Sequence, residues 1–421
     1  MQVQNQATYG SFADLVQSRA AATFTFENEV LSFTFSNKGG QMLKAHLKGY
    51  TNYLGEPLNL VEENQNINFR FTTLDGRTLN TADLYFTAEE KQEQGQKVLW
   101  LKAALNPAQY IAFRYALDES DFMLDFAIRS QGLQAIINQN IPQEFGWELQ
   151  AFRNSRSIEY ENRYTELVYG YEDEKVNELS IAGEDEEVID EVEWIGYKQH
   201  FFNSILIPTQ PLNQVALTSK SLVDDEALEQ KFTKEYSSAF ALQSQGELNH
   251  GFQWYFGPSE YKTLAQYELG IEKNINFGWG IFGWINKSVF IPLFGFLSSF
   301  LPFGIAIIIM TIIVRLAMSP VTYRSYVSQI KMKVLKPEVD EITKKYKDDA
   351  VKRQQETMAL YNKAGANPMS GCLPALLQLP VFYALFSFFP VAFALRQKSF
   401  FCADDLASYD SVYVLTFNYL F

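Results

Sequence analysis

Residues 296–320 read Phe296-Leu-Ser-Ser-Phe-Leu-Pro-Phe-Gly-Ile-Ala-Ile-Ile-Ile-Met-Thr-Ile-Ile-Val-Arg315-Leu-Ala-Met-Ser-Pro320. The apolar run from Phe296 to Met318 is long enough to span a bilayer as a helix: about 23 residues at roughly 1.5 Å each exceed the roughly 30 Å of hydrocarbon. One charge interrupts it, Arg315, about five residues or roughly 7 Å from the end of the segment. Placing arginine at the centre of a membrane helix costs about 2.5–3.5 kcal/mol on insertion scales, so a retained arginine needs water or a partner. A guanidinium this close to the boundary can snorkel to the headgroups. However, Thr311 lies four residues before it and Ser319 four after, which places three polar side chains in one helical stripe. A polar stripe on an otherwise lipid-soluble helix predicts a water-accessible groove.

Downstream, Val321 to Lys363 carries ten Lys or Arg and six Asp or Glu, which puts this segment on the cytoplasmic side by the positive-inside rule. Apolar residues at Val327, Ile330 and Val334, at Ile342 and Tyr346, and at Val351, Met358 and Tyr361 predict two amphipathic helices joined near Asp348-Asp349, a hairpin over residues 321–365. Pro337 is expected to kink the first arm; either aspartate can cap the second, which Gly365 and Pro368 end. Residues 372–395 read as a second span, with Gln378 and Ser387 as polar interruptions and Pro374, Pro380 and Pro390 as bends that neighbouring helices can accommodate. Gln378 is a candidate for the facing wall of the groove, or for interhelical glue. Residues 396–411 then form a loop on the far side, and 412–421 turn apolar again, as the start of a further span.

Upstream, residues 271–295 are rich in aromatics (Trp279, Phe282, Trp284, Phe290), with Lys287 the sole charge after Asn276. Tryptophan favours the headgroup level, so a connecting and interfacial amphipathic helix is expected. Residues 23–270 alternate apolar and polar side chains in short runs broken by turn residues. Phe24 and Phe26, then Leu31, Phe33 and Phe35, precede the turn Asn37-Lys38-Gly39-Gly40, and the rhythm returns at 68–74, 98–105, 110–117, 122–128 and 214–218. Period-two runs separated by turns predict one large antiparallel β-sandwich. The acidic stretch Glu172 to Glu193 reads as a solvated loop, the alternative being a face for cations or basic partners. A helix near Ser259–Leu269, with Leu264 and Tyr267 inward, closes the domain. Residues 1–22 form a polar, partly helical segment without the pattern of a secretory leader, so an upstream targeting segment is expected.

The charge is divided unevenly. Residues 1–275 hold 21 Lys or Arg against 40 Asp or Glu, and residues 276–421 hold 14 against 9. Specific nucleic acid binding is not expected of a mostly acidic chain. Two cysteines, Cys372 and Cys402, build no disulfide framework, and three scattered histidines make no zinc site. No phosphate-binding glycine loop is present, so no cofactor, no metal and no enzymatic reaction are expected. The competing reading is a membrane-anchored carbohydrate-binding or sugar-processing β-domain, with Trp100, Trp147, Trp194 and Trp254 as stacking faces; core packing is their other use.

Several motifs together resemble the YidC family of membrane-protein insertases. They are Trp194-Ile-Gly-Tyr-Lys-Gln-His-Phe-Phe-Asn203 leading to Pro208, Tyr255-Phe-Gly-Pro258, Asn276-Phe-Gly-Trp-Gly280, Ile312-Ile-Val-Arg315 through Pro320, Lys331-Met-Lys-Val-Leu-Lys-Pro337, Met358-Ala-Leu-Tyr361, Asn367-Pro368, and Gly371-Cys-Leu-Pro374 through Gln378-Leu-Pro380. The resemblance implies a periplasmic all-β supersandwich followed by an α-helical transmembrane domain with a cytoplasmic hairpin, in a multi-pass protein of the bacterial inner membrane. It also implies a chaperone-like insertase whose partners are nascent membrane proteins, membrane lipids, the Sec translocon and the ribosome. Arg315 matches the family's groove arginine, and residues 321–363 match a hairpin to which substrate reception is attributed. The family's first, signal-anchor span and its last spans are not matched by this sequence.

Overall fold

The computed structural model describes residues 2–17, 19–223, 231–366, 373–401 and 403–408. Two compact units divide at Ile275/Asn276, where the charge and composition of the sequence change.

Among the described residues the first unit has nineteen strands, in a four-stranded, a nine-stranded and a six-stranded sheet, every paired neighbour antiparallel. The period-two runs decide which face is buried: Leu31, Phe33 and Phe35 are all inward on strand Leu31–Ser36, and their polar neighbours point away. On the nine-stranded sheet Tyr115 lies opposite Phe126, and Phe126 opposite Phe252, so these side chains share one face with Trp254 and Phe256 two and four residues on. Against that face pack Phe33 and Phe35 of the four-stranded sheet, on Phe256 and Tyr115 respectively. Phe145 and Trp147 of the six-stranded sheet pack on it too, against Phe126 and Trp254. The unit is therefore a two-layer sandwich, nine strands facing ten.

The runs read as strands at 68–74, 98–105, 110–117, 122–128 and 214–218 fall on strands Gln65–Thr72, Gln96–Asn106, Gln109–Leu117, Met123–Gln131 and Val215–Ser221. The acidic stretch corrects one expectation. Lys175–Glu178 and Glu184–Ile189 are edge strands, the latter in register with Val215–Lys220. A charged edge strand is soluble on both faces and resists pairing with another chain, which is why its polarity resembles a loop's. The expected closing helix is the short Tyr261–Ala265, with Leu264 buried.

In the second unit, among the described residues, two helices are long and apolar enough to cross a membrane, Ile281–Ser298 and Phe303–Val334. The first contains a π-helical turn at Asn286–Phe290, and Trp279, Ile281 and Trp284 nearby are exposed. Three expected boundaries shift. The long helix starts at Phe303, not Phe296, because Pro302 at its N-cap lacks an N–H and the Ser299 hydroxyl takes the Phe296 carbonyl at 2.7 Å. It runs through Pro320 without ending, so the span and the first part of the hairpin form one continuous helix to Val334. The kink expected at Pro337 is a break two residues earlier: Leu335 ends one helix and Lys336–Lys345 begins with the proline in its first turn, where its missing N–H costs nothing.

Ala350–Lys363 follows, capped by the Asp349 carboxylate, which accepts from Lys352 N at 2.9 Å. Gly365 beyond its end takes a positive φ of 61°. Helix Leu373–Phe388 contains Pro380 and gives way to 3-10 turns around Pro390, so it is shorter than residues 372–395. Cys372, Cys402, the Asn367-Pro368 motif and the expected apolar restart at 412–421 lie outside the described residues.

Candidate functional site

The site grows from two helices whose side chains repeat every three or four residues. Ile and Val dominate Phe303–Val334, β-branched residues of only moderate helix propensity, so the apolar character of the run and not propensity favours the helix, and Lys331 and Lys333 in the last turn complement the negative end of the helix dipole. Gly304 allows close packing: a Cβ there would meet the Phe400 ring at 2.1 Å. Opposite runs Leu373–Phe388, steadied by Asn286. That buried side chain donates from Nδ2 to the carbonyls of Phe277 at 2.6 Å and Ala384 at 2.9 Å, so it ties the π-helical turn to the proline-bearing helix. Phe282 and Tyr383 add a ring contact at 4.5 Å.

Between the long helix and the proline-bearing helix lies an open cleft of about 610 Å³. Thr311, Arg315 and Ser319 line one wall and Gln378 the other, so all four sequence-selected residues meet at one place. The Thr311 hydroxyl donates to Ile307 O at 2.9 Å, which leaves its oxygen free to accept. Arg315 and Gln378 are exposed in the cleft, and among the described residues no ion pair or hydrogen bond engages the Arg315 side chain. The remaining lining was not foreseen: Met318, Thr322, Tyr323 and Tyr326 extend the stripe, and Val381, Phe382 and Leu385 complete the far wall. Its signal was present, because 311, 315, 319, 322 and 326 continue one helical face, as do 378, 382 and 385. The boundary drawn at residue 320, between span and hairpin, concealed it.

The cleft is amphiphilic: a cation and hydroxyls share it with tyrosines, methionine and aliphatic side chains. Among the described residues no group of three His, Cys, Asp or Glu side chains could hold a metal ion. In the β-unit, Trp147, Trp194 and Trp254 are fully buried, and Trp100 is half-buried with its N–H donated to Glu93 at 2.8 Å. They serve the core and its margin and offer no open stacking platform.

A two-layer β-sandwich joined to bilayer-length apolar helices, one of which walls a polar cleft, defines a two-part membrane protein. The sequence comparisons name its kind. Residues 23–292 match the family described as the YidC periplasmic domain, and residues 295–420 the family described as the 60Kd inner membrane protein. The chain is 38% identical over 422 residues to the membrane protein insertase YidC of Parabacteroides distasonis, covering 97% of this chain and 66% of that protein. To the one from Phocaeicola vulgatus it is 39% identical over 410 residues, covering 92% and 64%. A solved structure, an active YidC insertase with its first transmembrane domain resolved, aligns with 96% of this chain and 82% of its own at 16% identity, with a TM-score of 0.32. The chain belongs to the YidC family, and it spans about two-thirds of the length of these two relatives.

Proposed function

We propose that this chain is the substrate-handling part of a membrane-protein insertase. It receives hydrophobic segments of nascent proteins and passes their polar flanks through a hydrated cleft centred on Arg315. The cleft between Phe303–Val334 and Leu373–Phe388 supports this reading, because it joins an unpaired guanidinium to Thr311, Ser319 and Gln378 within an apolar helical unit. Such a cleft keeps water beside the charge and shortens the apolar distance that an incoming polar flank must cross. Its positive charge attracts acidic flanks. The driving force comes from the substrate: about 20 apolar residues at roughly −0.3 to −0.6 kcal/mol each supply on the order of −6 to −12 kcal/mol. The process is non-enzymatic and needs no nucleotide.

The ten basic residues of the hairpin argue for the cytoplasm, with Phe303–Val334 and Leu373–Phe388 crossing from that side; Ile281–Ser298, with Trp279 and Trp284 exposed, then lies along the interface, and the β-unit before it is periplasmic. Work alone or beside the Sec translocon, with a ribosome docked at the cytoplasmic face, follows from the family resemblance. The test is site-specific crosslinking in the full-length protein, with photoreactive probes at Thr311, Ser319 and Gln378 and controls at Ile313 and Leu316, both exposed. A single-span substrate caught during insertion crosslinks to the first three and not to the controls. Equal crosslinking at all five positions overturns the proposal.

A further inference from the structure

The chain passes from the nine-stranded sheet to the six-stranded one through residues 209–214, and this crossover walls a cavity of about 800 Å³. Two strands run past their neighbours there. Phe202–Pro208 ends opposite Phe252, whereas its partner strand begins three residues earlier, so Asn249 and His250 are paired only with Arg129 and Ile128 on the other side. Val215–Ser221 begins after its partner too, and Ala241 and Leu242 are paired only with Glu144 and Gln143. The next carbonyl, Gly251 O, is taken by Thr209, whose N–H and hydroxyl donate to it at 3.1 and 2.6 Å. Two short strand edges therefore open onto one cavity.

Its charge is as specific as its backbone. Arg129 alone among the lining side chains carries a permanent charge, and among the described residues no ion pair or hydrogen bond engages its guanidinium. His250 Nε2 lies 2.7 Å from Ser244 Oγ, and burial, with help from the Arg129 charge, pushes its pKa down to about 4, so the imidazole is neutral at pH 7. A planar guanidinium with free donors matches a carboxylate. Free strand edges match the alternating N–H and C=O groups of an extended chain, and the hydroxyls of a sugar match them poorly.

We propose that this cavity binds a short extended polypeptide segment carrying an acidic side chain, added as a strand along Ala241–Leu242 and Asn249–His250 with its carboxylate on Arg129. The site stands whether or not the helical cleft handles substrate. The acidic surroundings repel such a segment at long range, but beyond about 8 Å that repulsion is largely screened at physiological salt.

The test uses the full-length protein in lipid nanodiscs with fluorescein-labelled Val-Thr-Asp-Val-Thr. Companion probes are the same peptide with Asn for Asp, a backbone N-methylated version, and digalacturonate. The Asp peptide binds and slows amide exchange at residues 241–242 and at Asn249; the Asn peptide and the Arg129→Gln protein each weaken binding about tenfold; N-methylation abolishes it. Failure of the Asp peptide to bind overturns the site, as does equal binding of the N-methylated peptide, or Arg129-dependent binding of digalacturonate alone. Should Arg129→Gln not fold, amide exchange in the unaltered protein decides.

Discussion

The two units treat buried and half-buried charge in opposite ways. In the β-unit, Lys198 is 2% exposed and its ammonium meets Glu166 at 2.7 Å, while buried Glu161 accepts the backbone N–H groups of Asn154 and Ser155 at 2.9–3.0 Å. Lys234, also buried, donates to Ile181 O, and burial pushes its pKa down to about 8. In the helical unit Arg315 stands in an open cleft with no such partner among the described residues. A charge paired internally serves the fold. A charge left unpaired in an apolar unit is available to water and to a visitor, and that availability is the functional difference between the units.

Breaking the paired side gives the largest effect. Glu166→Ala strands the Lys198 charge inside the sandwich and lowers the stability of the β-unit by about 3–5 kcal/mol, read as a fall in the denaturant midpoint. An unchanged midpoint would show that Lys198 finds water. The corresponding change on the other side, Arg315→Ala, removes no intramolecular partner, so stability stays within about 0.5 kcal/mol. The same variant impairs insertion of substrates with acidic translocated tails about tenfold more than neutral ones; equal loss for both removes the guanidinium from the mechanism.

A smaller effect appears with pH. The folded-state pKa of His250 lies below its unfolded value, so between pH 6.5 and about 4 the unfolded chain binds the proton and the folded chain does not. Stability of the β-unit therefore falls as pH is lowered through that window, by up to about 1.4 kcal/mol per pH unit from this group. His250→Gln flattens this slope in denaturation midpoints measured across the window. The smallest effect is at the hairpin: Asp349→Ala removes the cap on Lys352 N and costs about 1 kcal/mol of local helix stability, visible as faster amide exchange in the first turn of Ala350–Lys363.

The contrast between the units was partly readable from residue order. Alternation at Leu31, Phe33 and Phe35 shows which side chains go inward, because a strand's period is fixed by its backbone. Which sheets those strands join depends on contacts such as Phe33 with Phe256, more than two hundred residues apart, and no local pattern encodes that. Glu184–Glu187 was misread because charge suggests solvent and not a backbone conformation, and an edge strand satisfies both. Arg315, Thr311 and Ser319 were readable as a stripe because a helix repeats its own face. Tyr323 and Tyr326 were missed because the span and the hairpin were divided at residue 320, yet one helix continues across that boundary. Gln378 was only one possible facing residue until two helices were seen to flank one cleft.

The most direct measurement is water access to that cleft in a bilayer. With Cys372 and Cys402 replaced by serine, the Thr311→Cys and Leu316→Cys variants of the full-length protein in nanodiscs are exposed to a charged, membrane-impermeant thiol reagent. A hydrated cleft around Arg315 predicts fast labelling at position 311 and slow labelling at 316, which is exposed but does not line it. Equally slow labelling at both positions would contradict the account.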